Sequence, residues 1–170
     1  MQESFSKTGV LAKGDLAESP GVPSEERMKK GPVVYIECME EIPCNPCEFI
    51  CPHGAISVGK QIIDLPVLDE EKCNGCGLCI AICPGLAIFL VDKSYSEQEA
   101  LVAFPYELLP LPEVGMTVYG VDREGKAGCK ASVVKVLNPK KFDRTPVIYL
   151  AVPKEFALDV RNFKFIEKEE

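Results

Sequence analysis

The amino-acid sequence predicts an α+β fold, in which a cysteine-rich unit is followed by a small β-rich domain of barrel or sandwich type. Two cysteine runs related by an internal repeat predict the unit, and β-branched segments that begin after Gly115 predict the domain. A stretch rich in charged residues, glycine and proline precedes them. The chain thus divides into an arm (1–31), the cysteine-rich unit (32–92), a linker (93–113) and the β-rich domain (114–170).

The arm contains "KGDLAESPGVPSEERMKKG", which has neither a helical nor a strand period. Such a segment buries too little apolar surface to form a core of its own. We therefore expect it to be extended or disordered alone and to become ordered on a partner.

The cysteine-rich unit holds two runs, "CMEEIPCNPCEFICP" (38–52) and "CNGCGLCIAICP" (73–84). The second run has the spacing C-x2-C-x2-C-x3-C-P, in which three thiolates bind one [4Fe–4S] cluster and the fourth binds another. The first run repeats the second at an offset of 32 residues, except that five residues instead of two follow its leading cysteine. Two clusters are therefore predicted, with a widened loop at residues 39–43.

Two other cysteine chemistries compete with this interpretation. Cys44-x2-Cys47 and Cys73-x2-Cys76 can be read as zinc knuckles, but zinc does not require a third cysteine two residues on and a fourth before proline. Disulfides are disfavoured, because nine cysteines are few for a secreted scaffold of 170 residues and no signal-like segment opens the chain. We expect a reduced, cytoplasmic compartment.

The remaining elements follow from hydrophobic pattern and turn residues. "PVVYIEC" and "LAIFLVD" predict strands at the two ends of the unit, and "SEQEALVAF" predicts a short helix in the linker. Three strands are predicted in the last domain, from "MTVYGVD", "CKASVVKVLN" and "TPVIYLAV". A C-terminal helix is predicted from Pro153, and its apolar residues are interpreted as core packing: Phe156, Ala157, Val160 and Phe163.

All of the net charge of −7 lies on the cysteine-rich unit, where residues 32–92 carry nine acids and two bases. This charge disfavours nucleic acid as a partner and favours docking onto a basic surface of a partner protein. An equal alternative is that the acids merely keep the unit soluble. The longest apolar run, from Ile80 to Val91, is too short to cross a bilayer, so no membrane span is expected.

On these two runs, residues 32–92 resemble the bacterial two-cluster [4Fe–4S] ferredoxin family. The resemblance implies two ligand sets: Cys38, Cys44, Cys47 and Cys83 for cluster one, and Cys51, Cys73, Cys76 and Cys79 for cluster two. The widened loop departs from the family, and without the Cys38 thiolate cluster one would be a [3Fe–4S] centre. We expect the complete cluster, because an unused cysteine at the end of "VVYIEC" would be a coincidence.

We also expect cluster one to be harder to reduce than cluster two. Pro43 and Pro46 lack amide hydrogens, whereas Gly75 and Gly77 of the second run leave amides free to donate to sulfur and permit close backbone approach. Four acids also crowd the first loop: Glu37, Glu40, Glu41 and Glu48. His53, which follows the first run, is interpreted as a solvated turn residue, with a hydrogen bond near a cluster as the alternative, and Cys129 as a small buried side chain.

No acid–base or nucleophile constellation accompanies the cysteines, so the sequence predicts a non-catalytic protein that transfers single electrons. The whole chain also resembles the ferredoxin-type small subunit of FAD-containing amine and amino-acid dehydrogenases, on "GPVVYIECMEEIPCNPCEFICP" and "VLNPKKFDRTPVIYLAVP". This implies a hetero-oligomer in which FAD lies on other chains and this one relays electrons to a redox acceptor. The alternatives are a soluble carrier ferredoxin, a subunit of a hydrogenase or an oxoacid oxidoreductase, and a zinc-binding interaction module.

Overall fold

The computed structural model describes residues 3–142 and 144–166. These residues form five short α-helices: α1 (Glu3–Thr8), α2 (Lys13–Leu16), α3 (Glu25–Met28), α4 (Pro46–Ile50) and α5 (Leu78–Ile82). They also form nine strands: β1 (Val33–Ile36), β2 (Ile56–Ser57), β3 (Val67–Leu68), β4 (Ile88–Asp92), β5 (Glu99–Pro105), β6 (Thr117–Val121), β7 (Ala127–Leu137), β8 (Val147–Pro153) and β9 (Asn162–Phe165). The portions of the predicted arm and β-rich domain at 1–2, 143 and 167–170 lie outside the described residues.

Seven of these strands form one antiparallel sheet in the order β1-β4-β5-β8-β7-β6-β9, and β2 pairs with β3 separately. β1 and β4 enclose the cysteine runs and pair with Val33 opposite Val91 and Ile36 opposite Ile88. β4 then pairs with β5, and β5 with β8. The sheet of the cysteine-rich unit therefore continues into the C-terminal strands, where the sequence predicts a separate barrel or sandwich. The boundaries of the domains stay a prediction.

The segment predicted as a linker helix is a strand. "EALVAFP" forms β5, because its neighbours β4 and β8 offer unpaired backbone groups and apolar faces on both sides. Ala100, Val102 and Phe104 are fully buried there. Periodicity over so short an apolar run does not distinguish a helix from a strand.

The predicted C-terminal helix is also replaced, by a 3-10 turn at Lys154–Phe156 followed by β9. β9 completes the edge of the sheet by pairing with β6. Ala157, Val160 and Phe163 are nevertheless buried, so their interpretation as core residues is confirmed. The spacing of these apolar residues thus reflects their packing in the core and does not require a helix.

The N-terminal arm lies on the cysteine-rich unit and forms α1 to α3, where the sequence predicts no regular structure. Its Leu16 and Met28 side chains are buried in the core. The N–H of Ile36 donates to the Gly21 carbonyl at 3.0 Å, and the N–H of Lys93 donates to the Met28 carbonyl at 2.8 Å. The unit thus supplies the apolar contacts that the arm cannot make within itself.

Candidate metal centre

The eight cysteines of the two runs line two small cavities, four in each. Cavity one is lined by Cys38, Cys44, Cys47 and Cys83. Cavity two is lined by Cys51, Cys73, Cys76 and Cys79. The structure therefore brings together the same two sets of thiols that the ferredoxin resemblance implies, and their role as ligands stays a prediction. Cys129 lies half-buried on β7 and lines neither cavity.

The internal repeat places these thiols through two equivalent helices, α4 and α5, which have five residues each and pack against one another. Each helix carries one cysteine and ends at another. Cys51 ends α4 with φ −74° and ψ 108°, and Cys83 ends α5 with φ −69° and ψ 113°. The cysteine within each helix and the cysteine that ends it line different cavities, so each run contributes thiols to both cavities.

Backbone amides point at the sulfur atoms after each helix. The N–H of Ala55 donates to Cys51 Sγ at 3.3 Å, and the N–H of Ala87 donates to Cys83 Sγ at 3.4 Å. These two bonds are related by the repeat offset of 32 residues. Amide donors of this kind orient metal-bound thiolates and stabilise their charge.

Two glycines shape the second run. Gly75 has φ 71° and Gly77 has φ 77°, a left-handed conformation that disfavours other residues. A Cβ atom on Gly75 would lie 2.6 Å from Pro32 Cβ, and one on Gly77 would lie 3.1 Å from Tyr149 Oη. These contacts place the loop of the second run against Pro32, which precedes β1, and against Tyr149 of β8. The close approach of this loop to the sulfides of a cluster stays a prediction.

The cavities hold their thiols in a largely apolar setting. Cys47 is 9% exposed and Cys79 6%. Burial, with the neighbouring Cys83, raises the pKa of Cys47 to about 11, and burial also raises the pKa of Cys79. A metal bound by these residues would require their thiolate forms, so its binding would release the thiol protons. Four soft donors around each cavity, one of which accepts a hydrogen bond from a backbone amide, fit an iron–sulfur cluster.

A single-ion site would need a tighter arrangement, since zinc holds its sulfur ligands about 2.3 Å from one point. Within residues 3–142 and 144–166, no group of three His, Cys, Asp or Glu side chains is arranged so that it could hold a metal ion by itself. An iron–sulfur cluster distributes its irons around a core of sulfide, and so suits thiols that surround a cavity.

His53 lines cavity two and is not only a solvated turn residue. Its Nε2 atom lies 2.8 Å from Asn74 Nδ2, and Asn74 Oδ1 accepts a hydrogen bond from the N–H of Cys76 at 3.1 Å. His53 and Asn74 are both exposed. They form the outer wall of cavity two.

Glu37 directly follows β1, and its side chain is buried and paired. The sequence predicts it to be one of the acids that crowd the first loop, and the structure corrects this. Its side chain is held by two arginines that sequence reasoning missed, Arg123 and Arg161. Burial lowers the pKa of Arg161, and the charge of Glu37 opposes that effect. Two guanidinium groups on one carboxylate leave a net positive charge beside Cys38. The sequence offers one signal for this pair, an acid that directly follows the apolar strand "VVYI". A carboxylate at the end of a buried strand is itself expected to be buried, and a buried carboxylate requires a partner.

Arg27 in α3 makes a similar set of contacts beside cavity two. Its Nε donates to the Glu70 carbonyl at 2.9 Å and its Nη1 to the Gly31 carbonyl at 3.1 Å. Its Nη2 donates to the carbonyls of Pro32, at 3.2 Å, and Cys73, at 2.5 Å. One arginine of the arm thus ties the start of the second run to the strand that precedes the first.

A groove of about 800 Å³ opens beside Cys38. Its wall includes Leu86 and Leu108, which are 36% and 61% exposed, and the buried Arg161 lies at its base. The groove was not predictable from the sequence, because its residues come from the arm, the first cysteine run, the segment that follows the second run, the linker and the C-terminal domain.

Residues 66–89, which contain the second cysteine run, match the family model described as a 4Fe-4S binding domain. One subunit of an ion-translocating oxidoreductase complex from Methanosarcina acetivorans is 49% identical over 49 residues, which cover 29% of this chain and 17% of that protein. An uncharacterized ferredoxin from Methanocaldococcus jannaschii is 38% identical over 71 residues, 41% of this chain and 43% of that protein. The polyferredoxin-like subunit of an aliphatic sulfonate oxidoreductase from Pyrococcus furiosus is 39% identical over 54 residues, 32% of this chain and 28% of that protein.

The chain thus spans less than half the length of each of these relatives. No solved structure shows significant similarity to it. The chain contains a segment of the 4Fe-4S ferredoxin family, and the iron–sulfur prediction is confirmed at that level. Among the described residues, no helix has the length and apolar character needed to cross a membrane.

Proposed function

We propose that this chain is a non-catalytic electron-transfer subunit of a multi-subunit oxidoreductase and that it binds two [4Fe–4S] clusters. The cysteines of cavity one bind cluster one, and those of cavity two bind cluster two. The observation that carries the proposal is the sorting of eight thiols into two cavities of four. A single cluster or a single zinc ion would leave half of these thiols without a role.

When bound, a [4Fe–4S] cluster supplies one-electron redox chemistry at a potential set by its hydrogen bonds, its charge and its exposure. The chain's own residues hold the irons through thiolates and direct amides at the sulfur atoms. They also exclude water. Ile36 and Ile88 from β1 and β4 line cavity one, and Val34 and Ile56 line cavity two, and all four are nearly fully buried.

The two helices connect the cavities by short routes. α4 carries Cys47 into cavity one and ends at Cys51 in cavity two, while α5 carries Cys79 into cavity two and ends at Cys83 in cavity one. Only three residues separate the two thiols of each helix. This arrangement supports the passage of an electron from one cluster to the other within the chain.

The relatives support a place in a complex, because two of them are by name subunits of oxidoreductases. We propose a FAD-containing amine or amino-acid dehydrogenase as the electron source, on the resemblance of the outer stretches of the chain. Two clusters can accept in sequence the two electrons that a reduced flavin releases. A cytoplasmic complex is the setting that this proposal implies.

The test is anaerobic purification of the full chain with the proteins that co-elute, followed by assays of iron, acid-labile sulfide, zinc and flavin. We expect about eight irons and eight sulfides per chain, EPR signals of two reduced clusters after dithionite, and a flavoprotein at a constant ratio. Zinc without sulfide would contradict the electron-transfer role. A loaded chain that elutes alone would favour a soluble carrier, and a constant partner without flavin would exclude the dehydrogenase only.

A further inference from the structure

The entry to cavity one is a loop that needs an external restraint. Five residues separate Cys38 from Cys44, whereas two separate Cys73 from Cys76, where Gly75 makes the turn with φ 71°. A longer loop has more conformations, so holding its first cysteine at one place costs more entropy. The contacts at the start of this loop therefore bear on whether its thiol remains a ligand.

Glu37, the residue before Cys38, connects both ends of cavity one. Its N–H donates to the Ala87 carbonyl at 2.8 Å, and the N–H of Ala87 donates to Cys83 Sγ at 3.4 Å. Glu37 is thus covalently next to one thiol and one residue removed, by hydrogen bonds, from another. Any displacement of Glu37 would be transmitted to the Cys38 and Cys83 side of the cavity.

Two arginines beside the C-terminal strands fix the Glu37 carboxylate, one in the turn between β6 and β7 and one directly before β9. Arg123 donates to both of its oxygens, from Nη2 to Oε1 and from Nε to Oε2 at 2.8 Å. Arg161 Nε donates to Oε1 at 2.7 Å. A bidentate guanidinium sets the orientation of a carboxylate as well as its position, so the side chain of Glu37 has a single defined place.

Arg161 is itself immobilised by the sheet. It is 6% exposed, and its Nη1 donates to the carbonyls of Val160 at 2.7 Å and Ala157 at 3.3 Å. Its guanidinium carbon lies 5.2 Å from the ring centroid of Tyr35 and 4.8 Å from that of Phe89, and these two residues are directly opposite on β1 and β4. Arg161 is therefore held by strands β1 and β4 as well as by its own backbone contacts, and it holds Glu37 in turn.

Stability alone is a poor reason for this buried network. Desolvation commonly offsets the attraction in a buried Arg–Glu–Arg group, which apolar side chains of similar volume can replace without loss. Arg161 Nη2 is also buried with no hydrogen-bond partner in the described structure, which is a further cost. A costly but well-oriented network is better suited to fixing a geometry.

We propose that Arg123 and Arg161 are positioning residues for cluster one. By clamping Glu37 they hold the start of the widened loop, and they thereby keep the Cys38 thiolate at its corner of the cluster. This inference rests on the proposed function, because it takes Cys38 as a ligand. It extends the metal site to residues that lie far along the chain from both cysteine runs.

The test compares the full chain, loaded anaerobically, with Arg161→Met and Glu37→Gln. Arg144→Met is the matched control, since Arg144 is exposed and outside the network. In both network variants we expect brief exposure to air to lower the iron content from about eight to about seven per chain, with the EPR signal of an oxidised [3Fe–4S] centre and unchanged cluster two signals. On brief exposure to air, Arg161→Met should lose the corner iron roughly tenfold faster than wild type, which corresponds to about 1.4 kcal/mol. Arg144→Met should behave as wild type.

A second comparison separates positioning from general loss of stability. If Arg161 acts through Cys38, adding Arg161→Met to Cys38→Ala leaves the cluster signals of Cys38→Ala unchanged, whereas a merely stabilising residue would cost cluster two as well. Arg161→Lys, which keeps the charge but not the guanidinium geometry, should lose the corner iron at an intermediate rate.

The possible failures are distinguishable. Two complete clusters in wild type together with an air-stable cluster one in Arg161→Met and Glu37→Gln would overturn the positioning role and leave the proposed function intact. A wild-type chain without two clusters would overturn the proposed function itself. Should Arg161→Met fail to fold, Glu37→Gln decides, because it preserves the shape of Glu37 and the bonds of Arg161 to backbone carbonyls.

Discussion

Cavities one and two are lined by two copies of the same repeat, but the loops that precede the helices differ between the two copies. Their helices, α4 and α5, have equal lengths and end on cysteines with nearly equal dihedral angles. Before the helices the backbones diverge. Gly75 and Gly77 of the second run are left-handed, whereas the first run has Pro43 and Asn45 at those places, and Asn45 has φ −148°. The repeat therefore specifies the helices and leaves the entering loops free to differ.

This difference shows two ways of holding a leading cysteine. The short loop at Cys73 uses glycines within the loop, supplemented by Arg27, which donates to the Cys73 carbonyl. The wide loop at Cys38 begins at Glu37, which takes its partners from the C-terminal strands. Segments outside the cysteine-rich unit thus contact the start of both runs, the arm at one and the C-terminal strands at the other.

The largest expected effect comes from removing one buried thiol of each cavity. Cys47→Ala and Cys79→Ala, which are related by the repeat, should each lose one cluster, or about four of eight irons per chain. Cys47 and Cys79 are buried, so no other ligand can replace their thiolates and the cluster is lost, whereas the half-buried Cys38 lies on a loop and its loss would open one corner only. The EPR spectra of the two reduced variants should differ, and their sum should approximate the wild-type spectrum apart from coupling between the clusters.

Cys129→Ala is the control for both changes, because Cys129 lines neither cavity, and it should retain all of the iron. Identical spectra from Cys47→Ala and Cys79→Ala would break the assignment of the thiols to two independent sites.

An intermediate effect is expected at the residues that precede the helices. Gly77→Ala forces a Cβ into a left-handed position and to within 3.1 Å of Tyr149 Oη, so it should lower the free energy of unfolding by about 1–3 kcal/mol. Asn45→Ala should change it by about 0.5 kcal/mol or less, because the Asn45 side chain makes no capping hydrogen bond. Anaerobic urea unfolding of the loaded protein measures both. Equal losses at the two positions would show that the loops are not held differently.

The smallest expected effect concerns the order of reduction. Glu40 and Asp64 line cavity one, whereas the described residues around cavity two include no carboxylate. Negative charge disfavours an added electron, so cluster one should have the lower reduction potential even though Glu37 and its two arginines leave one net positive charge beside Cys38. In an EPR-monitored titration, Asp64→Asn should raise the potential of cluster one and leave that of cluster two unchanged.

Glu97→Gln provides the matched control for Asp64→Asn, since Glu97 is an exposed acid that lines neither cavity. Two clusters that reduce at one potential in wild type would remove this asymmetry.

The sorting of the cysteines could be predicted from the sequence because its cause is local. Spacing within a run decides which thiols share a turn or a short helix, and the repeat offset shows that the turn occurs twice. The family match at residues 66–89 agrees with this interpretation for the second run. The same local reasoning misassigned residues 99–105, because whether "EALVAFP" becomes a helix or a strand depends on the strands beside it.

By itself, the sequence determined the spacing of the cysteines, the duplication of the cysteine run and the presence of a 4Fe-4S binding segment, since these follow from residue type and short-range geometry. Only the tertiary structure decided that β4 continues into β5, and that Glu37 meets Arg123 and Arg161, which lie 86 and 124 positions away. Such pairs form because a buried carboxylate must find a cation somewhere in the fold, and the sheet determines which cation is near enough.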